Sequence, residues 1–556
     1  MPAAACTTSM GRRTPTILLA SLALASGALR DVFSGFMKDV HPTELHYERQ
    51  PRYHVRPRQG WLNDPNGPIF VNGKYHVFFQ HNADERAASW GNIVWGHSVS
   101  PDLVHWEVAE SILTTPPAYE RAGAWSGSMF KRGEDIVALY TCTDGRFRNA
   151  QCEALADDAS LSTFTRNPNN PVIRDPPKGV DARAFRDPTA PYRYKGRDHT
   201  LIGATDDDHG AILTYEIFRG HRGYEHRGSF YAAPAGRGTG GSGDHQFCRS
   251  WRDGPGCASL MLECPDVFES NGRTVLKLSL GAALRQDVVL IGSVEDGPTF
   301  RAVQHGEAPA PRCDGAAHLP GAVALDCGSA YAAKSFTDPK GRRVSWAWLP
   351  DWGGPATPDA LLYNGTLTLP RLVTWEQGEV RARLLPELAK LRLDHHAEDA
   401  LSDVSLYAFA DACELRFSLP QASTAITLTL HRRGNELKVS VVCVKGVCRL
   451  SIVTLADGQE HVPCRAMTFR QAGRVQIIVF LDGSVVEWDA GDGRASCAHR
   501  WYGALWGGDA TTNGDLGVST RFAPEPVRLE AWRLKDAYKK EPERLKDAYL
   551  EWTAAE

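Results

Sequence analysis

The sequence predicts an all-β protein built in two successive blocks, and three observations point there. Between residues 47 and 372, short strand-like runs such as 74–79, 136–140 and 343–348 recur between turn clusters. Helical periodicity is scarce and no βαβ alternation appears, which argues against a parallel doubly wound sheet. The 51 Gly and 34 Pro are spread along the chain instead of forming tracts, as many short strands joined by many turns require. The strand spacing suits a propeller, a sandwich or a barrel, and no clean repeat chooses among them.

Composition sets the outer limits. At 556 residues, 42% hydrophobic and 23% charged, the chain has room for two substantial cores. Its 62 basic and 66 acidic residues give a formal net charge of -4. That balance offers no electrostatic basis for nucleic acid or an anionic membrane as partner.

In chain order, residues 1–28 come first. Arg12-Arg13, an apolar run over 17–25 and the small residues Ser26-Gly27-Ala28 have the order of a secretory signal peptide. The run is too short to span a bilayer comfortably, so no membrane association is expected after cleavage, and the expected destination is extracellular, with a vacuolar one as the alternative. Cysteine usage agrees with that route. Of 13 cysteines, Cys6 lies in the leader, while Cys142 with Cys152, Cys248 with Cys257 and Cys443 with Cys448 are close neighbours without zinc-type spacing. Short-loop disulfides are expected, with connectivity left open. Asn364-Gly365-Thr366 is a glycosylation sequon.

The stretch Trp61-Leu62-Asn63-Asp64-Pro65-Asn66-Gly67-Pro68 reads as a turn feeding the strand Ile69-Phe70-Val71. Residues 373–395, charged and Leu-rich, read as a connector. Strands then resume over 396–534 in the manner of a β-sandwich, including a hairpin over 480–488 with Asp482-Gly483 at its turn. The tail, 535–556, follows. Arg-Leu-Lys-Asp-Ala-Tyr occurs at 533–538 and again at 544–549, a spacing that keeps one helix face. A solvated charged tail is the expectation, with a short helix as the alternative.

Two further acids share the setting of Asp64. Asp187 lies in Ala184-Phe185-Arg186-Asp187-Pro188 and Glu263 in Leu262-Glu263-Cys264-Pro265-Asp266, each after an apolar run and before a proline. Around them stand Phe79-Gln80-His81-Asn82, Trp90 to His97, and Trp125-Ser126-Gly127-Ser128. Amides and carboxylates bind hydroxyl groups while aromatic faces pack on sugar rings, so a carbohydrate site is expected. Glycoside hydrolysis needs two carboxyl groups, one to attack or activate water and one to protonate the leaving oxygen.

Taken together, these motifs resemble glycoside hydrolase family 32, the invertases, inulinases, levanases and fructan exohydrolases. Asn-Asp-Pro-Asn-Gly, Phe-Arg-Asp-Pro and Glu-Cys-Pro stand in the family's order, and 482–487 is similar to its sandwich motif. The resemblance implies a five-bladed β-propeller followed by a C-terminal β-sandwich. By position it implies Asp64 as nucleophile, Glu263 as general acid/base and Asp187 as transition-state stabiliser, assisted by Arg186. Asn63 and Gln80 match fructose contacts, while Trp61, Trp90, Trp125 and Ser126 match the pocket lining. The implied reaction is removal of terminal β-D-fructofuranosyl residues, from sucrose above all, through a covalent fructosyl-enzyme. Retention calls for the carboxyl groups of Asp64 and Glu263 to stand about 5–5.5 Å apart. Charge on Asp64 is expected to raise the pKa of Glu263, giving a bell-shaped profile with an acidic optimum.

The chain also departs from the family pattern. Leu262 precedes the acid/base where many members have Trp, and Ala347-Trp348-Leu349-Pro350 stands where many carry Gly-Trp and an Asn-rich loop. A Gly-rich insert over 235–243 borders the Glu263 motif. No cofactor or metal is expected: Asp206-Asp207-Asp208 lacks alternating ligands and reads as a solvated turn. Fructan exohydrolysis and fructosyl transfer share the intermediate and are the alternatives within enzymes. A catalytically inactive carbohydrate-binding homologue is the alternative outside them.

Overall fold

The computed structural model describes residues 51–538 except 83, 85–88, 207–208, 219–222, 234–246, 249–257, 260, 282–284, 304–312, 314–318, 320, 352–362, 407–408, 433–434, 457–458 and 502–515. The leader over 1–28, Cys257, the insert over 235–243 and the second hexapeptide copy lie outside the described residues. Among the described residues no helix is long and apolar enough to cross a membrane.

Five antiparallel blades succeed one another as a propeller, each opening on an inner strand. Blade one opens on Gly60–Val71, blade two on Gly123–Arg132 and blade three on Val180–Arg186. Blade four opens on Leu262–Ser270 and blade five on Tyr331–Thr337. A single parallel bridge, Ile93 to Gly123, joins the first two blades into one sheet. The last blade is tied to the first by the short strand Tyr363–Asn364, which pairs in parallel with Gly60 and Trp61. Gly365 follows that strand at φ +88, and a Cβ there would stand 1.9 Å from the Leu62 carbonyl oxygen. Only glycine permits so close an approach.

The second block is a sandwich of two six-stranded sheets. Its strand Asn435–Val444 alternates buried and half-buried positions along its length, as a strand with one face on a core must. The core between the sheets includes Leu415, Phe417, Leu450, Val479 and Trp488. The expected hairpin is present, with Asp482 opposite Val485 across Gly483-Ser484.

Several sequence expectations are corrected. Residues 61–68 form strand, not turn: Gly60–Val71 is continuous but bulged between Leu62 and Pro65 and between Asn66 and Ile69. Gly67 and Pro68 lie in the second bulge and Pro65 borders the first, where missing ladder bonds cost little. Residues 373–395 are not a free connector. Arg371–Glu376 and Glu379–Leu384 complete blade five, and Arg392–Glu398 is already a sandwich strand. The first hexapeptide copy is neither helical nor solvated. Arg528–Leu534 is a sandwich strand, and Ala537 and Tyr538 are buried, with the Tyr538 hydroxyl donating to the His54 carbonyl. Asn364 of the sequon lies in the closing strand, and Thr366 is fully buried.

Among the described cysteines, Cys142–Cys152 and Cys443–Cys448 are bonded as adjacent pairs. Cys313–Cys327 and Cys464–Cys497 are longer-range bonds that spacing could not have given.

Candidate active site

The inner strands carry irregularities close to the expected site residues. Blade one is bulged at Asn63 and Asp64, and blade two between Ala124 and Gly127, around Trp125 and Ser126. Blade four is bulged between Glu263 and Asp266, and blade five between Tyr331 and Lys334. Blade three instead ends at Arg186, and Asp187 takes a left-handed φ of +69. An extra residue or a left-handed φ re-aims the side chain that carries it. Along Gly60–Val71, Asp64 is only partly buried while its immediate neighbours are buried.

Four hydrogen bonds converge on the Asp64 carboxyl. The Asn63 side chain donates to Oδ1 at 3.1 Å, and the Ser126 hydroxyl to Oδ2 at 2.6 Å. Gln80 Nε2 lies 3.5 Å from Oδ2 and donates more closely to Ser126 Oγ, at 2.6 Å. The Cys264 thiol completes the set at 3.5 Å. Trp61 is buried, tilts against Trp348 with centroids 5.8 Å apart, and donates from its indole to Asn63 Oδ1 at 2.7 Å. That bond orients Asn63.

Asp187 is buried at the end of blade three's inner strand. Its backbone N–H donates to Thr141 Oγ1 at 2.9 Å, while its Oδ2 accepts from the Cys264 N–H at 3.0 Å and from the Cys264 thiol at 3.5 Å. Cys264, itself at φ +44, therefore touches both aspartates. Its thiol lies within 3.5 Å of both carboxylates.

Glu263 keeps a side chain 18% exposed and is held from both oxygens. Arg186 Nη2 donates to Oε1 at 2.5 Å, and the Tyr331 hydroxyl donates to Oε2. A Cβ on Gly281 would sit 3.2 Å from the Glu263 carboxyl carbon, so the glycine leaves that carboxyl its room. Tyr331 was not anticipated from the sequence. It stands 68 positions from its partner, outside any motif that could have signalled it.

Electrostatics follow from burial and proximity. Burial raises the pKa of Asp64, opposed by the bonds from Ser126 and Asn63 and reinforced by the Glu263 charge. Burial pushes Asp187 up to about 6, with Arg186 opposing and the charges of Glu263 and Asp64 adding to the rise. Burial works against the Arg186 guanidinium, but Glu263 and Asp187 outweigh it and hold it protonated. Burial pushes the Cys264 thiol well up, so it is a hydrogen-bond donor and not a nucleophile.

Asp64, Asp187, Glu263, Arg186, Asn63, Gln80 and Ser126 are thus linked through direct contacts. Trp90 and Trp125 stand apart from that network as an edge-to-face pair, centroids 5.4 Å apart, with Trp90 43% exposed. Three neighbouring carboxyl groups, with an aromatic pair of which Trp90 is exposed and Trp125 half-buried, form a constellation fit for sugar chemistry.

Known proteins resemble this chain in sequence and in fold. Residues 54–384 match the model of the glycosyl hydrolases family 32 N-terminal domain. A β-fructofuranosidase of Oryza sativa subsp. indica, insoluble isoenzyme 7, is 31% identical over 491 residues, covering 79% of this chain and 76% of the relative. The vacuolar acid β-fructofuranosidase 2 of a Rosa hybrid cultivar is 32% identical over 385 residues, 63% of this chain and 53% of its own. The chain thus spans between about half and three quarters of these relatives. In fold, it is similar to fructan 1-exohydrolase IIa from Cichorium intybus, with a TM-score of 0.71 at 22% identity over 88% of this chain and 98% of that one. It is also similar to a β-fructofuranosidase of Bombyx mori, with a TM-score of 0.69 at 22% identity over 93% and 99%. With the family model matched over more than half its length, the chain belongs to glycosyl hydrolase family 32.

Proposed function

We propose that this protein is a retaining β-fructofuranosidase that releases terminal non-reducing fructose, with sucrose as its main substrate. The observation that carries the reading is the meeting of Asp64, Asp187 and Glu263, from three different blades, around Cys264 and Arg186. The relatives named above are β-fructofuranosidases, and a variant of the Bombyx mori enzyme was solved in complex with sucrose.

In this reading Asp64 is the nucleophile. Its oxygens are steered by Asn63 and Ser126, and it attacks the anomeric carbon to form a fructosyl ester. Glu263, clamped by Arg186 and Tyr331, protonates the departing oxygen and then takes a proton from the incoming water, so configuration is retained. Asp187 accepts hydrogen bonds from fructose hydroxyls. Those donors favour its charged form, which then stabilises positive charge growing on the ring. Each step is completed by side chains of this chain. The four described disulfides fit an oxidising compartment, and the relatives include insoluble and vacuolar enzymes, in line with an extracellular or vacuolar location.

Incubation of the purified protein with sucrose, inulin and levan, with products resolved, tests this. Equal glucose and fructose from sucrose are expected. Fructose below glucose, with a trisaccharide, would instead identify a transferase, and fructose from inulin or levan alone an exohydrolase. Turnover of none of the three would reject the enzymatic reading.

A further inference from the structure

Behind Glu263 lies a buried ion pair that the chemistry above does not use. Lys277 and Asp287 come from the second and third strands of blade four, both nearly inaccessible to solvent, with Nζ 3.3 Å from Oδ1. A buried pair of this kind adds little net stability over an apolar substitute, so its contacts matter more than its presence.

Those contacts run to the backbone of two bulges. Lys277 Nζ donates to the Cys264 carbonyl at 3.1 Å and to the Ala333 carbonyl at 2.6 Å, with a third bond to Ser279 Oγ at 2.7 Å. Asp287 accepts from the Ala332 N–H at 3.2 Å, the Ala333 N–H at 2.7 Å and the Ser279 hydroxyl at 2.5 Å. Cys264 follows Glu263 in the chain and Ala332 follows Tyr331. Both Cys264 and Ala332 hold left-handed φ values, +44 and +59, which an L residue keeps only when its surroundings impose it. Lys334 adds a further tie from blade five to blade four through the Pro265 carbonyl, at 3.2 Å.

We infer that Lys277, locked to Asp287, is a positioning residue that joins the bulge of blade four to that of blade five and so aligns Glu263 with Tyr331. The inference rests on Glu263 being the acid/base. The pair reaches no substrate. It fixes the two backbone segments whose side chains share the Glu263–Tyr331 hydrogen bond, and through the Cys264 N–H it also fixes Asp187.

A role exercised through the general acid has a signature that loss of fold lacks. Cleavage of sucrose needs its leaving oxygen protonated, whereas 4-nitrophenolate departs without that help. The test compares kcat/KM, which reports the first chemical step, for sucrose and 4-nitrophenyl β-D-fructofuranoside in wild type and Lys277→Met. About a 100-fold loss on sucrose and less than about 10-fold on the aryl fructoside is expected, the difference falling within the range of general acid catalysis. Thermal melting checks that the variant folds. Should it not fold, Ser279→Ala, which removes the hydroxyl bridging Lys277 and Asp287, is expected to give a weaker form of the same pattern. Equal losses on both substrates, or no loss, would overturn the inference while leaving the function intact. A wild type that cleaves neither substrate would overturn both.

Discussion

The Ser126 hydroxyl donates to Asp64 Oδ2 across 2.6 Å, joining the inner-strand bulges of blades one and two. That bond opposes the rise in pKa that burial imposes on Asp64. Hydrogen bonds to charged groups are worth about 1.5–3 kcal/mol, so Ser126→Ala should lower kcat/KM on sucrose by about 10- to 100-fold. Because the lost bond favoured the carboxylate, the acidic limb of the pH profile should move to higher pH. Measurement of kcat/KM between pH 3 and 7 checks both. An unmoved limb would separate Ser126 from the ionisation of Asp64.

Removal of the acids themselves has a larger effect. If Asp64 is the nucleophile and Glu263 the acid/base as proposed, Asp64→Ala and Glu263→Ala should each reduce turnover of sucrose by about a thousandfold or more, since each removes a step and not an adjustment. Arg186→Lys keeps the charge but loses the planar guanidinium whose Nη2 holds Glu263, and a loss near 100-fold is expected. Near-normal rates in either alanine variant would reassign that residue.

Much of this site was legible in the chain because its acids sit in local motifs with punctuation around them. Asp64, Asp187 and Glu263 each announce themselves through a neighbouring proline and a preceding apolar run. The same punctuation misled at the level of structure, since Pro65 and Gly67 signal a turn but belong to a bulged strand. Tyr331 and Lys277 could not be read. Each is one residue in an ordinary strand, and its role exists only once two blades meet. The stretch 373–395 failed for a related reason: Arg381 and Arg383 look solvated in sequence, yet they form ion pairs with Asp492 of the sandwich. The second block was readable because strand alternation and an Asp-Gly turn are local signals.

Propeller closure offers a test of backbone geometry. Gly365 has φ +88, and its missing Cβ would overlap the Leu62 carbonyl at 1.9 Å. Gly365→Ala must therefore displace the closing strand from Gly60 and Trp61, next to Asn63 and Asp64 in the chain. A loss of about 3 kcal/mol or more is expected from combined strain and overlap, with reduced kcat. Thermal melting and sucrose kinetics on one preparation check it, and unchanged values in both would contradict the tight closure.

The last prediction concerns pH and stability. His54 is fully buried, with Nδ1 2.6 Å from Asp482 and Nε2 3.1 Å from Glu487, both carboxylates from the sandwich. Burial opposes a charged imidazole there, but the two carboxylates outweigh it and raise the pKa above its ordinary 6.5. A raised histidine stabilises fully below about 6.5, and that contribution is lost as pH climbs through the folded value. Burial also raises Asp326 to about 6, with Arg371 opposing, and Asp187 to about 6, against an ordinary 3.8 for each. The folded state keeps protons on these acids that the unfolded chain releases, so their effect also declines with pH, between about 4 and 6. All three groups carry the same sign, and stability from them falls as pH rises. His54→Gln should cost about 3 kcal/mol at pH 5, where it breaks a charged buried contact, and clearly less at pH 8. It should also flatten the decline above pH 6.5. Denaturant unfolding of wild type and variant at pH 5, 6.5 and 8 measures this, and an equal cost at all three would mean that His54 stays neutral between its two carboxylates.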